Sequence, residues 1–219
     1  MHTIIVLVII AMWAAWGYFH VNGMRLAARP PRAGSYILTM LWEWSVVAYV
    51  AWGISRGGTP LKTLIGGKWE TAKDVFRDLA ISVGFWITAL VVLASTALAI
   101  HVPRASQSVR ALLPQTRLEI VLWILTSLSA GICEEIIFRG YLQRQFCAWV
   151  GSIPGGILLS AAVFGAGHIY QGGKHAIVIG VYGVLFGILA EMRKSLRPGI
   201  MVHAWHDAIT GLLVRLVRT

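Results

Sequence analysis

The sequence alternates between long apolar runs and short polar segments rich in arginine, glycine and proline. A helix needs about 20 predominantly apolar residues to cross a bilayer, with a range of about 17–25. Seven runs of the chain approach or meet that length. They are Thr3–Val21, Tyr36–Ile54, Leu79–Ile100, Leu118–Ile137, Ile153–Ile169, His175–Glu191 and Pro198–Val217. The pattern therefore predicts an all-α protein, a polytopic transmembrane helix bundle of about seven spans.

Composition and charge agree with this fold class. Hydrophobic residues make up 57% of the 219 positions and charged residues only 13%, whereas soluble domains contain about 25% charged residues. The net charge is +10, but the basic residues form neither a run nor a soluble domain, so we expect no nucleic-acid partner. Cations in loops are instead suited to the anionic headgroups of a lipid bilayer.

The polar segments suggest how the chain is organised. Within the longest of them, the stretch Lys68–Asp78 is predicted to form an interfacial amphipathic helix that runs into the third span. No internal repeat or separate soluble domain is visible, so we expect one integral membrane domain. Residues 1–117 would supply N-terminal transmembrane helices and the interfacial segment, and residues 118–219 would form the functional core.

Ionisable residues interrupt the apolar spans of the second half. A charged side chain at the centre of a transmembrane helix costs about 2.5–3.5 kcal/mol, so each one calls for a partner or a function. Glu134 and Glu135 are adjacent, and Arg139 follows Glu135 at i+4, where the two can pair on one helix face. Glu134 has Phe138 at its own i+4 position and is left free for chemistry.

Two histidine motifs follow on later spans. His168 ends the sequence Phe164-Gly-Ala-Gly-His168, and His203 and Asp207 lie one helical turn apart. A carboxylate at i+4 can hold one imidazole nitrogen of His203 and so select its tautomer. Glu134 with these two histidines and Asp207 is equipped to activate water and to stabilise an oxyanion. Alternatively, Glu134, His168 and His203 are a possible ligand set for zinc or another divalent metal.

Three further ionisable residues have simpler explanations. Glu43 lies between two tryptophans, as an interfacial carboxylate does. Glu191 stands beside a basic loop and fits a solvated helix end. His206 fits a packed or membrane-boundary histidine. We therefore leave these residues out of the predicted site.

Taken in order, the residues singled out above resemble the three motifs of the CPBP intramembrane proteases. The matching stretches are Glu134-Glu135-x-x-x-Arg139, then Phe164-x-x-x-His168, then His203-x-x-x-Asp207. This family contains the CAAX prenyl protease 2 enzymes and the bacteriocin-protection (Abi) proteins, and the resemblance covers about residues 118–215. It implies an endopeptidase that hydrolyses a peptide bond of a membrane-associated protein or peptide and that uses no cofactor.

The resemblance also implies a role for each site residue. Glu134 would be the general base that activates the attacking water, with His168 helping to orient it. His203 and Asp207 would stabilise the oxyanion. The neighbouring carboxylate–arginine pair would brace the helix that carries the base.

Asp207 departs from the family pattern, because many members have asparagine at this position. An asparagine amide can donate a hydrogen bond to an oxyanion, whereas an ionised aspartate cannot. Asp207 is therefore expected to orient His203, or else to favour a metal by adding a carboxylate to the histidines.

Other functions fit parts of the pattern. A non-catalytic immunity or scaffold protein would keep the same fold. A proton-coupled transporter would also use intramembrane Glu, His and Asp, although the inverted repeats typical of transporters are not visible. Nothing in the residues indicates a prenylated substrate. The small size favours a bacterial protein, for which the bilayer would be the plasma (inner) membrane.

Overall fold

The computed structural model describes residues 1–27, 30–58, 60–103 and 107–216, with side chains described as far as residue 213. Over these ranges the regular structure is helical. A π-helical segment, Glu135–Leu142, joins α6 to α7, and a 3₁₀ turn, Ile169–Gln171, joins α8 to α9. The helices are α1 (His2–Leu26), α2 (Arg32–Ser55), α3 (Leu61–Ile65), α4 (Ala72–Ala99), α5 (Gln107–Leu112), α6 (Arg117–Glu134), α7 (Gln143–Val150), α8 (Ile153–Gly167), α9 (Gly173–Arg193) and α10 (Arg197–Leu216). The predicted all-α polytopic bundle is confirmed.

Five helices are long and apolar enough to cross a membrane: α1, α2, α4, α9 and the continuous helix Arg117–Val150. We call the last of these the central helix. The other two predicted spans differ from simple crossing helices. Helix α8 has only 15 residues and packs against α7 and α9. Helix α10 has 20 residues and packs against α6 and α4, and its two histidines and aspartate make it more polar.

The central helix is longer than its sequence predicts. The fourth span was expected to end at Ile137, but the chain stays helical to Val150 because the π-helical segment carries the backbone on without a break. The Glu134-Glu135 pair therefore lies within a helix rather than near its end. π-Helical turns occur frequently at functional sites. The expected end of the seventh span, at Val217, lies outside the described residues.

The predicted interfacial helix over Lys68–Asp78 is not a separate element. Helix α4 begins at Ala72, behind a capping box in which the Thr71 hydroxyl accepts from the backbone N–H of Asp74 and the Asp74 carboxylate accepts from the backbone N–H of Thr71. Such a reciprocal cap satisfies two N–H groups that the first turn of a helix leaves unpaired. The second half of the predicted interfacial stretch thus forms the first turns of α4.

Apolar side chains cover both the inside and the outside of the bundle. The main core joins α1, α2, α8 and the central helix, and it includes Val6, Val50, Cys133, Phe146 and Phe164. Large hydrophobic side chains are also exposed along the outer faces of α1 and α4, among them Phe19, Phe76, Ile87, Val91 and Leu98. An apolar outer surface of this extent is suited to lipid rather than to water.

Helices α6 and α10 cross in close contact at Gly131. A Cβ atom at this position would lie 2.7 Å from the backbone nitrogen of Ala204 and 2.8 Å from its Cβ atom. Small residues allow helix backbones to approach in this way inside membranes. The contact brings Glu134 of α6 near His203 of α10.

The Gly131→Ala variant is expected to push α6 and α10 apart and to lower the free energy of unfolding by about 1–3 kcal/mol, the usual cost of overpacking. Thermal unfolding in detergent measures this. Gly84→Ala in α4 is the matched control, because a Cβ there meets no atom within 4 Å and alanine favours a helix by about 0.5–1 kcal/mol. Equal melting temperatures for the two variants would contradict the close crossing.

Candidate active site

A buried carboxylate, Glu135, lies at the centre of the polar residues. Its Oε1 accepts a hydrogen bond from Nη1 of Arg139 at 2.9 Å and a second from Nδ1 of His203 at 3.0 Å. The side chains of Glu135 and Arg139 are each only 1% exposed. The predicted pairing of Glu135 with Arg139 is thus confirmed, and the same carboxylate also holds the imidazole.

Aromatic rings enclose the buried guanidinium of Arg139. Its carbon lies 4.3 Å from the ring centroid of Phe164 and 5.0 Å from that of Phe186. A cation over an aromatic face is stabilised by the electrons of the ring. Phe186 also stacks on His203, with ring centroids 5.2 Å apart. The rings therefore restrict both the arginine and the histidine that Glu135 connects.

The second nitrogen of His203 faces two other carboxylates. Nε2 lies 3.5 Å from Oε2 of Glu134 and 3.7 Å from Oδ2 of Asp207. Both distances exceed that of an ordinary hydrogen bond. The prediction that Asp207 holds the imidazole is therefore corrected: Glu135 holds it through Nδ1, and Asp207 only lies beside Nε2. Glu134 and Asp207 are partly open, with side chains 15% and 37% exposed.

His168 has a defined tautomer when it is neutral. Its Nδ1 lies 2.8 Å from the carbonyl oxygen of Phe164. Because a carbonyl oxygen can only accept, Nδ1 carries the hydrogen, and the neutral ring presents Nε2 as an acceptor. This bond is available because His168 is the C-cap of α8, where the last carbonyls have no partner within the helix. His168 is thus suited to accept a hydrogen bond from water.

One cavity of about 310 Å³ brings four of the six predicted site residues together, whereas Glu135 and Arg139 do not border it. Glu134, His168, His203 and Asp207 all border it. We call it the site cavity. The other walls are largely aromatic and aliphatic, with Tyr36, Trp123, Phe164, Ile179 and Tyr182 among them. A concave apolar site with a few convergent polar groups is the usual form of a binding or catalytic site.

Sequence reasoning missed Glu43 as a member of this site. The side chain is only 1% exposed, its Oε2 accepts a hydrogen bond from the Ser129 hydroxyl at 2.7 Å, and it borders the site cavity together with Glu134. The interpretation of Glu43 as an interfacial carboxylate is therefore wrong.

The residues that share a helix face with Glu43 give only a weak signal for its burial. Glu43 shares one helical face with Val46, Val47 and Val50 at spacings of three, four and seven residues, and all three valines are buried. The flanking tryptophans, which are typical of membrane interfaces, pointed the other way. Since nearly every residue of this span is apolar, the sequence alone does not show which face of α2 is inside.

His206 is packed, as expected. Nε1 of Trp86 in α4 lies 3.1 Å from its Nδ1, and its ring lies 5.0 Å from that of Tyr182. Because an indole N–H can only donate, Nδ1 of His206 is the acceptor. His206 also borders the site cavity, as Asp207 does.

The alternative zinc ligand set of Glu134, His168 and His203 stays a prediction, and all three residues lie within the described parts of the chain. Over these parts of the chain, no group of three or more His, Cys, Asp or Glu side chains is arranged to hold a metal ion. Zinc needs its nitrogen and oxygen ligands within about 2.0–2.2 Å of one point.

Comparison with known proteins agrees with this geometry. Residues 116–209 match the family model described as Type II CAAX prenyl endopeptidase Rce1-like. This part of the chain is similar to the CAAX-type protease family. The matched residues contain all three motifs, so the resemblance to the CPBP intramembrane proteases is confirmed. No curated protein and no solved structure gave a significant match.

The family match and the helices together indicate the general class of the protein. Residues 116–209 are similar, at the level of the family, to an intramembrane CAAX-type protease. Its five long apolar helices identify it as an integral membrane protein. The family match includes the central helix from its N-cap residue and most of α10, whereas α1, α2 and α4 lie outside the matched residues.

Proposed function

We propose that this protein is an intramembrane endopeptidase that hydrolyses a peptide bond of a membrane-associated protein or peptide, with Glu134 as its general base. One observation supports this above all. Glu134, His168, His203 and Asp207 border a single cavity inside an otherwise apolar bundle. Hydrolysis at membrane depth requires such a water-accessible space enclosed by protein.

Glu134 is suited to activate the attacking water. Because Arg139 pairs with Glu135, the carboxylate oxygens of Glu134 remain available. The side chain of Glu134 is partly exposed and borders the site cavity. The water would give a proton to Glu134 while its oxygen attacks the carbonyl carbon of the peptide. Nε2 of His168 would accept the other water hydrogen and so orient the lone pair of the nucleophile.

His203 is suited to stabilise the oxyanion that then forms. Because Nδ1 donates to Glu135, Nε2 is the nitrogen that faces the cavity. When Nε2 carries a hydrogen, it can donate to the oxyanion. The carboxylate of Asp207, 3.7 Å away, favours a proton on Nε2 by its charge. Asp207 would therefore act through His203 rather than bind the oxyanion itself.

The test is to compare wild type with Glu134→Gln in membranes from expressing cells, by enrichment and sequencing of new protein N-termini. Glutamine keeps the size of the side chain but cannot accept the proton, so we expect cleavage to fall by about 10²–10⁴-fold. Glu70→Gln, at an exposed glutamate before α4, is the matched control and should behave as wild type.

Two results would contradict the proposal in different ways. If the Glu134→Gln variant produced the same new N-termini as wild type, then Glu134 would not be the base. If neither protein produced any, while a wild-type cellular phenotype persisted in both, then a scaffold or immunity role would replace proteolysis.

A further inference from the structure

Glu43 is a buried carboxyl group that the mechanism above does not use. It belongs to α2, outside the residues 116–209 that match the protease family. It borders the site cavity and also a neighbouring cavity of about 110 Å³, and Glu134 and His168 border both. Glu43 and the proposed base, Glu134, therefore both border the two cavities.

The surroundings of Glu43 favour a neutral carboxylic acid. Its polar contact is the hydroxyl of Ser129, which donates to Oε2 at 2.7 Å and brings no charge. Within the described parts of the chain, no cationic side chain forms an ion pair with Glu43. Burying an unpaired carboxylate costs far more free energy than burying the neutral acid. A neutral carboxyl group carries an O–H donor, so Glu43 can bring a proton to the cavity.

Peptide hydrolysis needs such a proton. The amide nitrogen is a poor leaving group until it is protonated, and the histidines of the site have other tasks. The Nδ1 hydrogen of His168 is bonded to the Phe164 carbonyl, and neutral His168 presents only an acceptor to the cavity. His203 donates its Nδ1 hydrogen to Glu135 and is assigned to the oxyanion through Nε2.

We propose that Glu43 is the general acid of the reaction, an inference that rests on the proposed hydrolytic function. The water oxygen bonds to the carbonyl carbon while Glu134 takes one water proton. The C–N bond then breaks as Glu43 gives its proton to the departing nitrogen. The products are a carboxylic acid and an amine. Glu134 then passes its proton to Glu43 through the cavity, so that Glu134 is again a carboxylate and Glu43 is again a carboxylic acid.

The test compares Glu43→Gln with wild type on two probes in detergent or liposomes. One is a quenched fluorescent peptide selected from a randomised library by its cleavage with wild type. The other is the p-nitrophenyl ester of the same acyl half, whose leaving group departs without a proton. Glutamine can still accept the Ser129 hydrogen bond but cannot supply the proton.

On the peptide, we expect kcat of the Glu43→Gln variant to fall by about 10²-fold or more, with KM changed by less than about threefold. On the ester, the loss should be less than about threefold, because no general acid is needed there. A residue with only a structural role would affect both probes equally. Ser129→Ala, which removes the hydrogen bond but keeps the acid, should retain most peptide cleavage.

The outcomes separate this inference from the proposed function. Peptide cleavage by the Glu43→Gln variant at the wild-type rate, or equal losses on peptide and ester, would overturn the role of Glu43. The proposed function would survive in that case if Glu134→Gln abolished cleavage of both probes. If wild type cleaved no peptide of the library, both proposals would fall. If the Glu43→Gln variant fails to fold, Glu43→Asp is tested in its place. Its side chain is one methylene shorter, so its proton lies farther from the departing nitrogen. We again expect cleavage of the peptide, but not of the ester, to be lost.

Discussion

Replacement of Glu135 by leucine is expected to lower the free energy of unfolding by about 3–5 kcal/mol, the usual cost of leaving one member of a buried ion pair without its partner. Arg139 would keep its charge at a position where its side chain is 1% exposed and water cannot replace the lost carboxylate. The variant should also lose peptide cleavage, because Nδ1 of His203 would lose its acceptor. Chemical or thermal unfolding in detergent and the peptide assay measure the two effects.

A double variant separates the two roles of Glu135. In Glu135→Leu with Arg139→Met, neither charge remains, and replacing a whole buried ion pair by apolar residues is often neutral or stabilising. We therefore expect the double variant to recover most of the lost stability and to remain inactive, since His203 is still not held. An active double variant would show that Glu135 only braces the fold. A double variant as unstable as the single one would show that the ion pair is not the cause.

Replacement of Asp78 by asparagine is the second change with a large expected effect. Asp78 is fully buried, at 0% exposure, where the start of α4 meets α9 and α10. Its Oδ2 accepts a hydrogen bond from Nε1 of Trp69 at 2.8 Å and lies 3.1 Å from Nε of Arg197, and its Oδ1 lies 3.5 Å from Nη2 of Arg193. Asparagine would leave these arginines without their carboxylate, at a cost of about 3–5 kcal/mol. A lowered melting temperature in detergent is the expected result.

Asp74 provides the control for Asp78. It lies four residues earlier on α4, at the surface, and its carboxylate is 3.2 Å from Nη2 of Arg77. Asparagine keeps an oxygen that can accept the capping hydrogen bond from the backbone N–H of Thr71, and exposed ion pairs contribute little because water screens them. Asp74→Asn should therefore shift the melting temperature much less than Asp78→Asn. Equal shifts would mean that the contacts of Asp78 do not hold the helices together.

These contacts give the N-terminal helices a part in the site. Asp78 joins α4 to the start of α10, and Trp86 of α4 donates to His206 of α10. Glu43 of α2 is hydrogen-bonded to Ser129 of α6. The helices outside the family match thus support α10, which carries His203, and complete one wall of the site cavity. The assignment of the catalytic core to residues 118–219 remains a prediction. The walls of the site cavity include residues outside that range.

The sequence by itself determined the features that depend on neighbours along one helix. Apolar runs predict the long helices because every backbone polar group in a membrane must be satisfied within the segment. The i,i+4 spacing predicts the pairing of Glu135 with Arg139, since residues so spaced meet on one helix face. The three motifs, in their order along the chain, were enough to indicate the protease family.

Only the tertiary structure decided which side chains meet between helices. His203 is held by Glu135, 68 residues away in the chain, rather than by Asp207, four residues away. Glu43 is turned into the site although its span is apolar on all sides. Both results depend on how closely the helices pack, as at Gly131. The hydrophobic pattern of a single membrane helix does not encode this packing, because lipid and the protein interior are equally apolar.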